Sequence, residues 1–463
     1  MRFSTSELAA WLGAALVGPD VVVDGASIDS RSLRLGQLFV PIVAARDGHE
    51  FVGTAVASGA PAYLTAHPSV VDESVGGTAI VVDDTSAALM RLGVLARERV
   101  SGGVIGITGS VGKTTTKDLV RACLATAFPT AASEQSFNNE LGLPLTLLNA
   151  PDDARWVVLE MGARGPGHIA KLAEVARPDV GIVTSVAMAH IEFFGDLDGV
   201  ARAKSELVAA LPETGVAVLN FDDPRVAGMR SQCRGPVVGF SAAGVGEAEV
   251  RAEGVSLDEE LRPAFRLVSP WGEADVRLAL HGVQQVSNAL AAAATALWCG
   301  VPLEGVVQAL ASVDAPALRM EVRHEAGGGP TLIVDCYNAN PASTEAALRS
   351  LAALTADRKL ALLGLMAELG ATTEPEHRRL AELAESLGVE VVGYETELYG
   401  RARVDDVGSA VALLRGLGPG DAALIKGSRV ARLEDVVRAY EGSGSGGVGG
   451  VEGAGGAEGA GVG

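Results

Sequence analysis

"GITGSVGKTTTKD", residues 106–118, is the stretch from which the chain is best read. The apolar run Val104-Ile105-Gly106-Ile107-Thr108 predicts a short buried strand, and Asp118-Leu119-Val120-Arg121-Ala122-Cys123-Leu124 predicts the helix that follows. Between them Gly109 and Gly112 free the backbone to curl, so that N–H groups point inward at phosphate oxygens. The helix N-terminus adds about half a positive charge there. Lys113 is placed to reach the β- and γ-phosphates, and the Thr114 hydroxyl to ligate Mg²⁺. The general pattern G-x-x-x-x-G-K-[ST] is not met, because its first glycine would fall at Ile107. The spacing is instead G-x-x-G-x-x-G-K-T-T, ending at Thr115. Motors, kinases, GTPases and ligases all use such loops, so the fate of the phosphate must be read elsewhere.

The chain has 463 residues, enough for about two to four domains. It is 48% hydrophobic and can bury a large core, while a net charge of −20 argues against nucleic acid or an anionic membrane as main partner. Only six of its 37 basic residues are lysines (113, 117, 171, 204, 359 and 426), which gives each added weight. Cys123, Cys233, Cys299 and Cys336 are scattered without a C-x-x-C, in keeping with a reducing cytoplasm and no zinc site. Ser4-x-x-Glu7 predicts a capping box, followed by a helix with Leu8, Trp11, Leu12, Ala15 and Leu16 on one face rather than a signal peptide. No apolar run approaches the roughly 20 residues of a membrane span. A cytoplasmic, monomeric protein is expected.

An α/β chain of three units is predicted, with a tail. Residues 1–98 alternate short strands and helices around Val21–Val23, Gln37–Val40, Ala62–Leu64 and Ala79–Val82. Residues 99–314 alternate strand and helix repeatedly, the signature of a mostly parallel sheet wrapped by helices, with antiparallel strands over 250–280 about a Pro270-Trp271-Gly272 turn. Residues 315–440 form a third α/β unit with strands at Thr331–Val334, Leu360–Leu363, Val389–Val392 and Ala422–Ile425. Residues 441–463 are Gly, Ala, Ser and Val with three glutamates; such a composition cannot bury a core, and a disordered tail is expected.

Polar clusters fall at the ends of these strands. Glu160 closes Trp156-Val157-Val158-Leu159, where open α/β sheets bind ligands, and can serve as a metal ligand or a solvated strand end. His190 follows the strand at Val180–Val183, and Lys204 lies fourteen residues on; singly they read as a structural histidine and a surface lysine, but with Glu160 they can converge above the sheet. Asn138 and Asn139 sit in "SFNNELGLPLTLL", residues 136–148, where they could recognise amide and phosphate or simply cap a loop. "DCYNANPAS", 335–343, brings Asp335, Asn338 and Asn340 to a strand end before Pro341 opens a helix. "IKGSR", 425–429, presents Lys426, Ser428 and Arg429 to an anionic group. Together these clusters describe a cleft between units with a nucleotide at its centre.

On these residues the chain resembles the Mur ligases, the ATP-dependent amide-bond-forming enzymes of peptidoglycan precursor synthesis. The resemblance runs from about residue 20 to about residue 440, and the loop follows this family's spacing. "NNELGLPL" and "DCYNANP" are similar to the branch that adds a dipeptide, and the Thr-Thr-Pro and Asp-Asn-Pro-Arg motifs of the diamino-acid-adding branch are absent. The resemblance implies a uridine-binding first domain, a P-loop ATPase domain and a Rossmann-like third domain. It implies UDP-MurNAc-tripeptide and D-Ala-D-Ala as substrates, joined through an acyl phosphate. ATP would be held by Gly109, Ser110, Val111, Gly112, Lys113, Thr114, Thr115, Asn288, Arg319, Asp335 and Asn338. Substrate would be held by Ser30 and Arg31 of "SIDSRSLRLGQLFVPI", Asp47, Gly48 and His49 of "DGHEF", and Asn138, Asn139, Asn340, Lys426, Ser428 and Arg429. Two Mg²⁺ sites are implied, drawing on Thr114, Glu160, His190 and a carbamylated Lys204, with Lys113, Glu160, His190 and Lys204 as the catalytic set. Gln284 and Leu365 depart from the family, which commonly has His and Asp there. A folylpolyglutamate-type ligase on the same scaffold, or a non-catalytic relative, are the rival readings.

Overall fold

Three separate parallel-rich sheets carry the chain in this computed structural model, which describes residues 1–67, 75–134, 137–188, 191–324 and 328–442. The first sheet has five strands in the order Ala15–Val17, Thr78–Val81, Ala62–Thr65, Leu38–Phe39 and Ala26–Ser27. The second has nine, with Gly103–Thr108 between Val180–Val183 and Trp156–Glu160, parallel to both. The third has six; Thr331–Asp335, Ala422–Lys426 and Lys359–Leu363 lie side by side and parallel at its centre.

The strand Gly103–Thr108 is apolar on both faces and wholly buried, as a central parallel strand must be. The chain leaves it for Thr130–Ala132 on one side and later returns to Val180–Val183 on the other, so its carboxyl end is a topological switch point. Glu160 pairs in register with Ile107, and Val183 with Thr108, which brings three strand ends to one crevice. The stretch 250–280 forms the expected antiparallel strands, Val250–Leu257, Pro263–Ser269 and Gly272–Arg277, and they extend the nine-stranded sheet at one edge.

The helix Gln285–Trp298 supplies Ala289, Ala291, Ala292, Ala293, Ala294 and Ala296 to the core that also holds Leu119, Val120, Cys123 and Leu124 of the helix Lys113–Ala125. Side chains this small let the two helices lie close. The first and second units share one hydrophobic core, in which Leu8, Leu38, Ile80 and Leu92 join Val157, Leu159 and Leu172.

The first helix is shorter than its periodicity predicts. Ser4 caps it, its Oγ accepting from Glu7 N at 3.1 Å, but it ends at Leu12. Gly13 follows in the left-handed region (φ 64°), a conformation that closes helices and that glycine adopts without strain. Ala15 and Leu16 therefore lie on a strand paired with Thr78–Val81, not on the helix. The Glu7 side chain turns to Arg99 instead of completing the capping box. At the other end the last helix, Leu433–Gly442, takes in two residues read from sequence as tail, and Glu441 pairs with Arg323 at 2.5 Å. Residues 443–463 lie outside the described residues. Among the described residues no helix is long and apolar enough to cross a membrane.

Candidate active site

The loop after Gly103–Thr108 is held open by its own neighbours. Gly109 has φ 152° and Gly112 φ 85°, and a Cβ at Gly109 would lie 1.8 Å from Thr184 Oγ1 while one at Gly112 would lie 2.4 Å from Asn288 Oδ1. Both glycines are thus required for close approach as well as for dihedral freedom. Thr184 Oγ1 donates to Val111 O (2.6 Å), Ser185 Oγ accepts from Val111 N (3.2 Å), and Ser110 Oγ exchanges bonds with Ala187. Thr184 and Ser185 therefore shape the loop, a role their own sequence context does not signal.

The helix starts at Lys113, whose Nζ donates to Gly109 O at 2.9 Å. Thr114 is buried; its hydroxyl donates to Glu160 Oε2 at 2.8 Å and accepts from Arg319 Nη2 at 3.2 Å. Asn138 Nδ2 donates to the other carboxylate oxygen of Glu160 at 2.9 Å. The Glu160 backbone N–H reaches Ser133 Oγ (3.3 Å), and the buried Lys117 fixes Ser133 by donating to its carbonyl at 2.7 Å. Lys117 could be suspected from the scarcity of lysine; Ser133 carried no signal. Asn288 lies against Gly112, accepting from Thr116 Oγ1 (3.3 Å) and donating to Gln285 Oε1 (2.7 Å).

Lys204 is buried on the helix Leu197–Ala209. Burial, with the neighbouring charge of Lys113, pulls its pKa down to about 7. Burial also lowers that of Lys113, with Glu160 opposing the shift and Arg319 adding to it. His190 lies outside the described residues.

A second polar group sits at the strand ends of the third sheet. Lys426 is buried with its Nζ 2.6 Å from Asp335 Oδ2 and 3.1 Å from Asn338 O. Asp335 Oδ1 accepts from Met320 N at 3.2 Å. Several residues expected to hold substrate, in this unit and in the second, have backbone duties. Asn340 caps the helix Pro341–Ala353 in a capping box with Ser343. Asn139 Oδ1 accepts from Leu141 N and Gly142 N, and Ser428 Oγ bridges Ala367 N and Ala339 O. The exposed Arg429 is 3.4 Å from Glu434.

The first unit holds a third group. Arg31 grips Asp29 through two nitrogens at 2.9 and 2.7 Å and holds its carboxyl at about 2, with Ser30 half-buried between them. Asp47 caps the turn Gly48–Phe51 and bonds the ring of His49 at 2.7 Å. Asp47, His49 and His67 have the composition of a metal site, with ligand atoms within 4.8 Å of one another. His49 Nε2, however, accepts from Ala66 N (3.0 Å), so Nδ1 carries the proton given to Asp47 and neither nitrogen has a free lone pair. The group is a structural network.

Two family models match the chain: the Mur ligase middle domain over residues 107–296, and the Mur ligase glutamate ligase domain over 318–429. A Mycobacterium tuberculosis protein named UDP-N-acetylmuramoyl-tripeptide–D-alanyl-D-alanine ligase is 41% identical, over 89% of this chain and 91% of its own length. The chain belongs to the Mur ligases. It is an ATP-dependent ligase with the fold of MurF from Acinetobacter baumannii, whose structure aligns at a TM-score of 0.86 with 29% identity over 95% of this chain and 99% of that one. MurF from Thermotoga maritima, solved in complex with ADP, aligns at 0.79 with 27% identity over 91% and 97%.

Proposed function

We propose that this Mur ligase joins D-Ala-D-Ala to UDP-MurNAc-tripeptide in peptidoglycan precursor synthesis. The observation that carries the proposal is the bond from Asn138 to Glu160. It fastens "NNELGLPL", typical of the dipeptide-adding branch, to the carboxylate beside the nucleotide loop.

ATP supplies the γ-phosphoryl group that turns the tripeptide carboxylate into an acyl phosphate with loss of ADP, and the dipeptide amine then displaces phosphate at the acyl carbon. The loop of residues 109–115, through backbone N–H groups other than those of Ser110 and Val111, which Ser185 engages, and the Lys113 ammonium bind and neutralise the phosphates. Arg319 adds a second cation from the third unit, and Asn288, Asp335 and Asn338 hold the rest of the nucleotide. Thr114 and Glu160 place hard oxygens 2.8 Å apart, a donor set suited to Mg²⁺. The Lys204 ammonium does not suit such a site. Its carbamate does, since it offers two oxygens and a negative charge, and a lysine titrating near pH 7 has the free amine needed to take up CO₂. His190 completes the set proposed for the second ion. Ser30 and Arg31 hold the uridine end of the substrate, beside a turn that Asp47, Gly48 and His49 order. Asn139, Asn340, Lys426, Ser428 and Arg429 frame the peptide end, the first two and Ser428 by ordering the backbone there.

Phosphate release by the purified protein with UDP-MurNAc-tripeptide and ATP is expected to require D-Ala-D-Ala. Equal release without the dipeptide, or none with it, would reject the assignment. Gln284→His is expected to change the affinity for ATP and leave that for D-Ala-D-Ala unaltered. Gln284 immediately precedes the helix bearing Asn288, and its buried Oε1 has no partner that an imidazole would displace. A titration in which only dipeptide binding moved would place this segment elsewhere in the cleft.

A further inference from the structure

Arg319 crosses from the third unit to the nucleotide loop on a backbone that side chains rarely adopt. Leu318 has φ 63° and Met320 φ 48°, so two non-glycine residues in the left-handed region flank it. Such conformations persist only where surrounding contacts over-determine them. Here they do. Tyr337 N donates to Leu318 O at 3.1 Å, Leu318 N donates to Glu321 Oε2 at 3.3 Å, and Met320 N donates to Asp335 Oδ1 at 3.2 Å. Met320 is itself buried in the core of the third unit.

The side chain is held as firmly. The Arg319 guanidinium carbon lies 4.0 Å from the ring centroid of Tyr337, well inside cation–π range, and its Nη2 reaches Thr114 Oγ1 at 3.2 Å. Arg429 stands 5.8 Å from the same centroid, at the outer limit of that range, and has Glu434 as a nearer partner at 3.4 Å. The ring is therefore chiefly a platform for Arg319.

We infer that Tyr337 is a positioning residue for the nucleotide: its ring, with the left-handed backbone at Leu318 and Met320, aims Arg319 across the unit boundary at the phosphate loop. The inference rests on the reading of the loop as the ATP site, and not on the identity of the peptide substrates. Two properties follow. The aromatic ring is what supports the guanidinium. Residue 318 must tolerate positive φ, which glycine does freely and a β-branched residue does not.

The test uses the full chain and a non-hydrolysable β,γ-imido analogue of ATP, followed by calorimetry, with turnover measured in parallel. Tyr337→Leu is expected to weaken binding of the analogue about 5- to 30-fold, the range of a desolvated cation–π contact. Tyr337→Phe keeps the ring and is expected to lose less affinity than Tyr337→Leu. Leu318→Gly is expected to bind like wild type, and Leu318→Val to lose affinity as Tyr337→Leu does. In all four the KM for D-Ala-D-Ala is expected to stay near the wild-type value. Unaltered analogue binding by a folded Tyr337→Leu would overturn the inference, as would equal losses in Tyr337→Leu and Tyr337→Phe. Tight analogue binding without dipeptide-dependent turnover in the wild type would instead reject the substrate assignment, and the binding comparison would still decide the role of Tyr337.

Discussion

Replacing Lys204 by alanine is expected to leave a folded protein that has lost about 10²- to 10³-fold of its turnover, the usual effect of removing one charge-stabilising group from a reacting centre. The side chain is buried, and its pKa of about 7 reflects burial first and the Lys113 charge second. Its folded pKa lies below that of an exposed lysine, about 10.4. Without CO₂ on the amine, the unfolded chain therefore binds more protons between about pH 7 and about pH 10.4, and this site makes stability rise with pH across that window. Lys204→Ala removes that slope and is not expected to lower stability at neutral pH. A thermal melt at pH 7 and at pH 9 checks this. Added acetate or formate is expected to restore part of the activity by supplying the lost carboxylate-like ligand. Lys204→Arg is expected to be inactive, because a guanidinium does not take up CO₂. An arginine variant turning over near the wild-type rate would remove the carbamate from the mechanism.

Lys426→Met is expected to destabilise the chain by about 3–5 kcal/mol, since it leaves the Asp335 carboxylate uncompensated in a buried setting. The Lys426 side chain is 1% exposed and that of Asp335 12%, with 2.6 Å between the charged atoms. Asp335 also holds Met320 N, so the loss is expected to loosen the segment that carries Arg319 and to weaken nucleotide binding. Lys426→Met combined with Asp335→Asn removes both charges and is expected to recover much of the stability but not the nucleotide affinity. Denaturant titration of the two variants measures the difference. A Lys426→Met protein as stable as wild type would show that the pair is hydrated and of little consequence to the fold.

The strand-loop-helix unit and the placement of Glu160 were legible because a parallel sheet puts its chemistry at strand ends, and the strands announce themselves as short apolar runs. The antiparallel strands beyond Val250 were legible for the same reason, helped by the turn at 270–272. The first helix was overextended because the spacing of Leu8, Leu12 and Leu16 remains helical after Gly13 has closed it; periodicity does not see a partner strand such as Thr78–Val81. Asn139, Asn340 and Ser428 were noticed for their polarity, but an asparagine that caps a turn and one that meets a ligand look alike in sequence. Lys117 carries only the general weight of a scarce lysine and Ser133 none, because their importance depends on which loop meets which helix. Leu318 and Met320 carry no sequence mark of left-handed backbone, which needs the contacts around them to be seen.

The alanines of Gln285–Trp298 carry a consequence for how this protein can vary. Asn288 meets Gly112 so closely that a Cβ there would lie 2.4 Å from its Oδ1, and the alanines of its helix keep the packing behind it tight. The reach of that amide is therefore governed by volume in a layer that never touches a ligand. A single alanine-to-valine change in that layer is expected to strain the packing that seats Asn288, while preserving every polar residue of the cleft. Drift toward bulk in this apolar layer would switch off the nucleotide site and leave its visible motifs intact.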